Sequence, residues 1–142
     1  VMLSGLLDVL DGKVALFTNR SSKFGAIFDS TLDRYCEFFI YLGIAIYFRY
    51  HWAIWLAFFA FLGSNMVSYT RARAEGLGFE CRIGLMQRGE RMIAIMLASL
   101  IGGGFHFFEP AVIGVLILIG LLSNFTACQR LFHVRRMERQ KP

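Results

Sequence analysis

Charged residues in this chain fall in short intervals, and the stretches between them are almost wholly apolar. Trp52 to Thr70 and Pro110 to Gln129 carry no formal charge. At about 1.5 Å rise per residue, each reaches roughly 30 Å as a helix, the thickness of a bilayer's hydrocarbon core. Met92 to Phe108 is interrupted only by His106. Phe38 to Phe48 is shorter, and becomes a spanning helix only if extended back through Asp33 and Asp29. The run Val1 to Leu10 is too short to span and reads as the tail of a helix that begins earlier. The pattern predicts an all-α, polytopic membrane helix bundle. The expected organisation is a single domain over residues 1–142, truncated at the N-terminus, with four complete spanning helices and the end of one more. A mean hydropathy of +0.54, 56% hydrophobic residues and two prolines agree with that class.

Charge placement predicts orientation. Of fifteen Lys and Arg, fourteen lie at one set of helix ends. Lys13, Arg20, Lys23 and Arg34 flank the aspartates. Arg71, Arg73, Arg82, Arg88 and Arg91 fill what reads as the next loop on that side, and Arg130, Arg135, Arg136, Arg139 and Lys141 follow the last helix. Only Arg49 lies opposite. The rule that positive loops stay inside puts the aspartates on the cytoplasmic side of a cell membrane. The same rule, with attraction to anionic headgroups, accounts for the net charge of +5, so a nucleic-acid partner is not expected. Tyr47, Tyr50, Trp52 and Trp55 cluster between two apolar runs, as interfacial anchors do. The tail after Arg130 mixes Leu131, Phe132, Val134 and Met137 with basic residues and predicts a helix on the membrane surface.

Acidic residues near such helices carry the candidate chemistry. Asp8 and Asp11 are three apart, and Asp29 and Asp33 four apart. Each pair shares one helix face, so two helices can present four carboxylates to a common point, a cage for divalent cations. Taken singly, each is accounted for as a solvated helix end. Carboxylates at membrane depth usually mark a cavity whose occupant offsets their cost. A cation transporter is one such reading, although it would be expected to hold its carboxylates near the midplane on broken helices.

The residues DVLDGKVAL (8–16), FTNRSSKF (17–24) and GAIFDSTLD (25–33) form one spaced pattern, which chance produces in fewer than about one in 10⁷ windows. It resembles the signature of the CDP-alcohol phosphatidyltransferases, DxxDGxxAR, eight residues, GxxxDxxxD. One position departs: Leu16 stands where the family has arginine, and Arg20 or Lys23 is the candidate replacement. The resemblance implies about six spanning helices, a homodimer, and a pair of Mg²⁺ (or Mn²⁺) ions. Asp8, Asp11 and Asp29 would be ligands, with Asp33 both ligand and proton acceptor. Gly12, Ala15, Ser22 and Gly25 would lie against the CDP-lipid. Gly12 reads equally well as a tight helix crossing. All-oxygen ligands suit hard cations, and a carboxylate beside a metal is acidic enough that proton removal should accompany attack.

A second segment, Ser68 to Glu75 (SYTRARAE), is followed by Arg88 Gly89 Glu90 Arg91. Charge topology alone accounts for it, but arginine forks also bind phosphate bidentately. It resembles the inositol-phosphate-using branch of the family, which has SYxKARAE, an ERxxR-like stretch and an arginine late in the last helix. That implies Ser68, Arg71, Arg91 and Arg130 as ligands of the acceptor's phosphate, with Arg71 in place of lysine. The implied reaction transfers a phosphatidyl group from CDP-diacylglycerol or a related CDP-lipid to a phosphorylated polyol, inositol phosphate, within membrane lipids, releasing CMP. Glycerol 3-phosphate or another alcohol is the alternative acceptor.

Other motifs carry less. Cys36, Cys81 and Cys128 form no paired spacing, and His51, His106 and His133 no ligand spacing, so neither zinc nor a disulfide is expected. Asn124 heads a sequon inside an apolar run, where glycosylation cannot reach. Gly102 to Gly104 reads as a closely packed or flexible helix end.

Overall fold

A computed structural model describes residues 22–81, 83–105 and 107–140, and these form an all-helical bundle. Its elements are α1 (Lys23–Tyr47), α2 (Ile54–Gly76), α3 (Arg88–Gly104) and α4 (Phe108–Gln140). α1 contains Asp29 and Asp33 as well as the apolar run up to Tyr47, so the backward extension required by the aspartates is present.

Local chemistry sets the helix ends. Ser22 caps α1 by accepting a hydrogen bond from the Gly25 N–H at 2.9 Å. α2 closes at Gly78, whose φ of +80° suits glycine, with the Gly78 and Phe79 N–H groups returning to the Glu75 and Ala74 carbonyls. Gln87 and Glu90 form a reciprocal capping box at the start of α3.

α4 packs along both α2 and α3, and α1 lies against α2. The apolar core runs through Tyr41 and Ala45 of α1 with Phe48 at its C-cap, Ala57 and Ala60 of α2, Ile95 of α3, and Val112, Leu116 and Ile119 of α4. Close approaches are made at glycine. A Cβ at Gly120 would stand 2.6 Å from the Phe59 ring, and one at Gly102 would stand 2.7 Å from the Phe108 Cα. Within the 102–104 triplet, Gly102 alone is closely packed, and Gly103 and Gly104 face open space. Asn124 is used inside the bundle, donating to the Gly120 carbonyl at 2.7 Å.

Large apolar side chains also cover the outside, including Trp55, Leu121 and Phe132 at 73%, 60% and 68% exposure. An exterior that exposes so many large apolar side chains suits lipid. Among the described residues, one helix, α4, is long and apolar enough to span by composition alone, with a mean hydropathy of 2.2 over its best stretch. α1 and α2 each carry charged residues at the same end, while α3 has 17 residues.

Two expectations need correction. Arg71 and Arg73 lie on α2, and Arg88 and Arg91 on α3, so the basic loop shrinks to residues 77–87. Nothing breaks the chain at Arg130: α4 continues to Gln140, so the basic tail prolongs that helix and is no separate surface helix.

Candidate active site

Four helices converge at the end of the bundle that holds the start of α1 and the end of α2. Between them lies a cavity of about 340 Å³ lined by Arg34, Arg71, Arg88, Arg91 and Arg130, with Ser30, Ser68, Glu75 and Gln87. Every helix supplies at least one arginine. The four residues expected to bind the acceptor's phosphate, Ser68, Arg71, Arg91 and Arg130, are brought together here. Arg34 and Arg88 join them. The sequence signal for Arg34 was its place beside Asp33. For Arg88 it was a spacing of three from Arg91, which puts both on one helix face.

The arginines differ in freedom. Arg71 is half exposed and pairs with Glu75 one turn on, at 2.8 Å. Such an exposed pair contributes little and yields readily to a ligand. Arg91 is fully buried: its Nε and one terminal nitrogen donate to Glu37 Oε1 at 3.0 and 2.8 Å, and its other terminal nitrogen donates to the Met86 carbonyl at 3.1 Å. Arg130 is 4% exposed and donates from Nε to the Ile83 carbonyl at 2.8 Å and from a terminal nitrogen to the Val67 carbonyl. It therefore ties the 77–87 loop to α2 while lining the cavity. Gly84 makes this possible. Its φ is +141°, and a Cβ there would collide with the Thr126 methyl group and stand 3.3 Å from an Arg130 nitrogen.

The aspartate end adjoins this cavity. Asp33 is half-buried, and Arg88 reaches it in an ion pair. Asp29, one turn earlier on α1, is exposed. Arg34 bridges Ser68, to which it donates, and Glu37, whose Oε2 is 3.2 Å away. Glu37 was overlooked in the sequence, though it continues the ladder Asp29, Asp33, Glu37 at a spacing of four. Ser22 and Gly25 lie together at the exposed start of α1, where a Cβ on Gly25 would stand 3.1 Å from the Ser22 hydroxyl. Asp8, Asp11, Gly12 and Ala15 lie outside the described residues. Among the described residues no three metal-ligating side chains cluster, so a metal centre here would draw on that earlier segment.

Comparison with known proteins agrees with this geometry. The chain is 42% identical over 133 residues to archaetidylinositol phosphate synthase of Methanothermobacter thermautotrophicus, covering 92% of this chain and 65% of the relative. It thus spans just under two thirds of that protein's length. Its fold is similar to the crystal structure of Mycobacterium tuberculosis phosphatidylinositol phosphate synthase with CDP-DAG bound. The TM-score is 0.84 at 28% identity, over 94% of this chain and 70% of that one. A structure of the same protein in complex with manganese and citrate matches with a TM-score of 0.83 at 27% identity, over 94% and 66%. Residues 1–126 match the family model for CDP-alcohol phosphatidyltransferase, and with that match over most of its length this all-helical membrane protein belongs to the CDP-alcohol phosphatidyltransferase family.

Proposed function

We propose that the protein transfers a phosphatidyl-type group from a CDP-lipid, CDP-diacylglycerol or a relative, to a hydroxyl of inositol phosphate, releasing CMP. The observation that carries this is the arginine cavity beside Asp33. Its five guanidinium groups outnumber the carboxylates paired with them, Asp33, Glu37 and Glu75, so the cavity is net positive. A phosphomonoester carries close to two negative charges at neutral pH and complements that charge. The names of the relatives share an inositol phosphate product. A neutral alcohol would leave the charge unmet; glycerol 3-phosphate would meet it but fill less of the space. The transporter reading finds no support in the family match.

Asp29 and Asp33, one turn apart with oxygen-only donors, fit a hard divalent cation, with Asp8 and Asp11 as the further ligands. Bound there, Mg²⁺ or Mn²⁺ would neutralise the diphosphate of the donor and polarise its phosphorus. The protein's own residues do the rest. Ser68 and the arginines hold the acceptor by its phosphate. Its hydroxyl then lies toward Asp33, whose carboxylate takes the proton as the oxygen–phosphorus bond forms and the bond to CMP breaks. Ser22 and Gly25, with Gly12 and Ala15, would border the donor. The basic helix ends orient the site to the cytoplasm, in a multi-pass homodimer.

The test is CMP release from CDP-diacylglycerol by the full-length protein in detergent or liposomes. Release should require both inositol phosphate and a divalent cation, stop with EDTA, and return with Mg²⁺ or Mn²⁺. Release independent of any acceptor would contradict a transferase.

A further inference from the structure

Two of the cavity's arginines, Arg34 and Arg91, are joined through Glu37, which takes no part in the reaction above. Glu37 is 1% exposed, on α1 one turn beyond Asp33. One carboxylate oxygen accepts two bonds from Arg91, and the other lies 3.2 Å from Arg34, which in turn donates to Ser68. A single buried acid thus links residues from α1, α2 and α3 that line one wall. A buried ion pair is weak evidence of stability, since apolar residues of equal volume often serve as well. Apolar residues could not fix the direction of a guanidinium.

Arg91 has five N–H donors, and three are committed, two to Glu37 and one to Met86. One N–H on each terminal nitrogen is left uncommitted by these bonds, on a buried guanidinium that borders the cavity and whose rotation is blocked. A group already fixed loses little side-chain freedom when a phosphate arrives.

We infer that Glu37 is a positioning residue for the acceptor, holding Arg91 so that its two remaining N–H groups meet the acceptor's phosphate. This rests on reading the cavity as the acceptor's phosphate site. Glu37 touches neither substrate, so its effect belongs in the acceptor's KM, transmitted through Arg91.

Five full-length proteins test it: wild type, Glu37→Gln, Glu37→Asp, Arg91→Gln and the double Gln variant, each assayed for CMP release with inositol phosphate and CDP-diacylglycerol varied separately. Glu37→Gln keeps the shape and removes the charge. The expected result is a tenfold or greater rise in acceptor KM, with the donor KM and the kcat at saturating acceptor within twofold. In the double variant the acceptor KM should stay within about threefold of Arg91→Gln alone, and Glu37→Asp should recover part of the loss. An unchanged acceptor KM in Glu37→Gln, effects that multiply in the double variant, or a parallel fall in kcat and donor affinity would overturn the inference. If Glu37→Gln does not fold, Glu37→Asp decides it: the charge stays and the reach to Arg91 shortens, so the acceptor KM should rise with the donor KM unchanged, and an unchanged acceptor KM would overturn the inference. A wild type whose CMP release ignores inositol phosphate would overturn the acceptor reading itself. A wild type that depends on inositol phosphate while Glu37→Gln behaves identically would overturn only the role of Glu37.

Discussion

Where α1 gives way to α2 and α3 to α4, helices meet through small side chains and rings: Ala45, Ala53, Ala57, Gly102 and Phe48. At the opposite end the same helices meet through Asp33, Arg34, Glu37, Arg88, Arg91 and Arg130. The first end is held by close packing, which needs no partner. At the second end, charges are partly withdrawn from water and pair with one another and with backbone carbonyls. That arrangement adds little net stability, and breaking it is expensive. The difference separates the part of the molecule that holds the fold from the part that holds a substrate.

Substitutions at the two ends should fail in different ways. The largest effect is expected at Asp33→Asn, which should lower kcat by about 10²- to 10⁴-fold while binding of the CDP-lipid persists. Turnover near that of wild type would remove Asp33 from the proton-accepting role. At the packed end, Gly102→Ala should cost about 1–3 kcal/mol in unfolding, because the added methyl meets the Phe108 backbone at 2.7 Å and backbone cannot give way. Gly103→Ala, one residue on, meets nothing within 4 Å and should be neutral or stabilising by up to about 1 kcal/mol. Unfolding in detergent measures both. Equal effects at positions 102 and 103 would mean that the helices do not approach as described.

Much of this division was legible in the sequence. Charge-free runs marked the helices because lipid tolerates no other pattern, and the spacing Asp29 to Asp33 forced α1 to extend backward, as it does. Ser68, Arg71, Arg91 and Arg130 were named from motif resemblance and line one cavity. Glu37 was passed over because a single acid beside an apolar run looks like a helix boundary. Its meaning depends on Arg91, 54 residues away, and no local spacing connects them. The charge pattern ends α2 too early for a related reason. Arg71 and Arg73 resemble a solvated loop by charge, while the Gly78 terminator that ends the helix lies several residues on. The second structural duty of Arg130, tying down the 77–87 loop, depends likewise on contacts distant in sequence.

The claim on which the account depends is that the arginine end recognises a phosphate on the acceptor. The direct test is the ratio of kcat/KM for inositol phosphate to that for inositol, in wild type and in Arg71→Ala. Charge-assisted hydrogen bonds are worth about 1.5–3 kcal/mol each, so two or more predict a preference of about a hundredfold or greater in wild type, reduced at least tenfold in Arg71→Ala. Equal use of the two acceptors by the wild-type protein would contradict it.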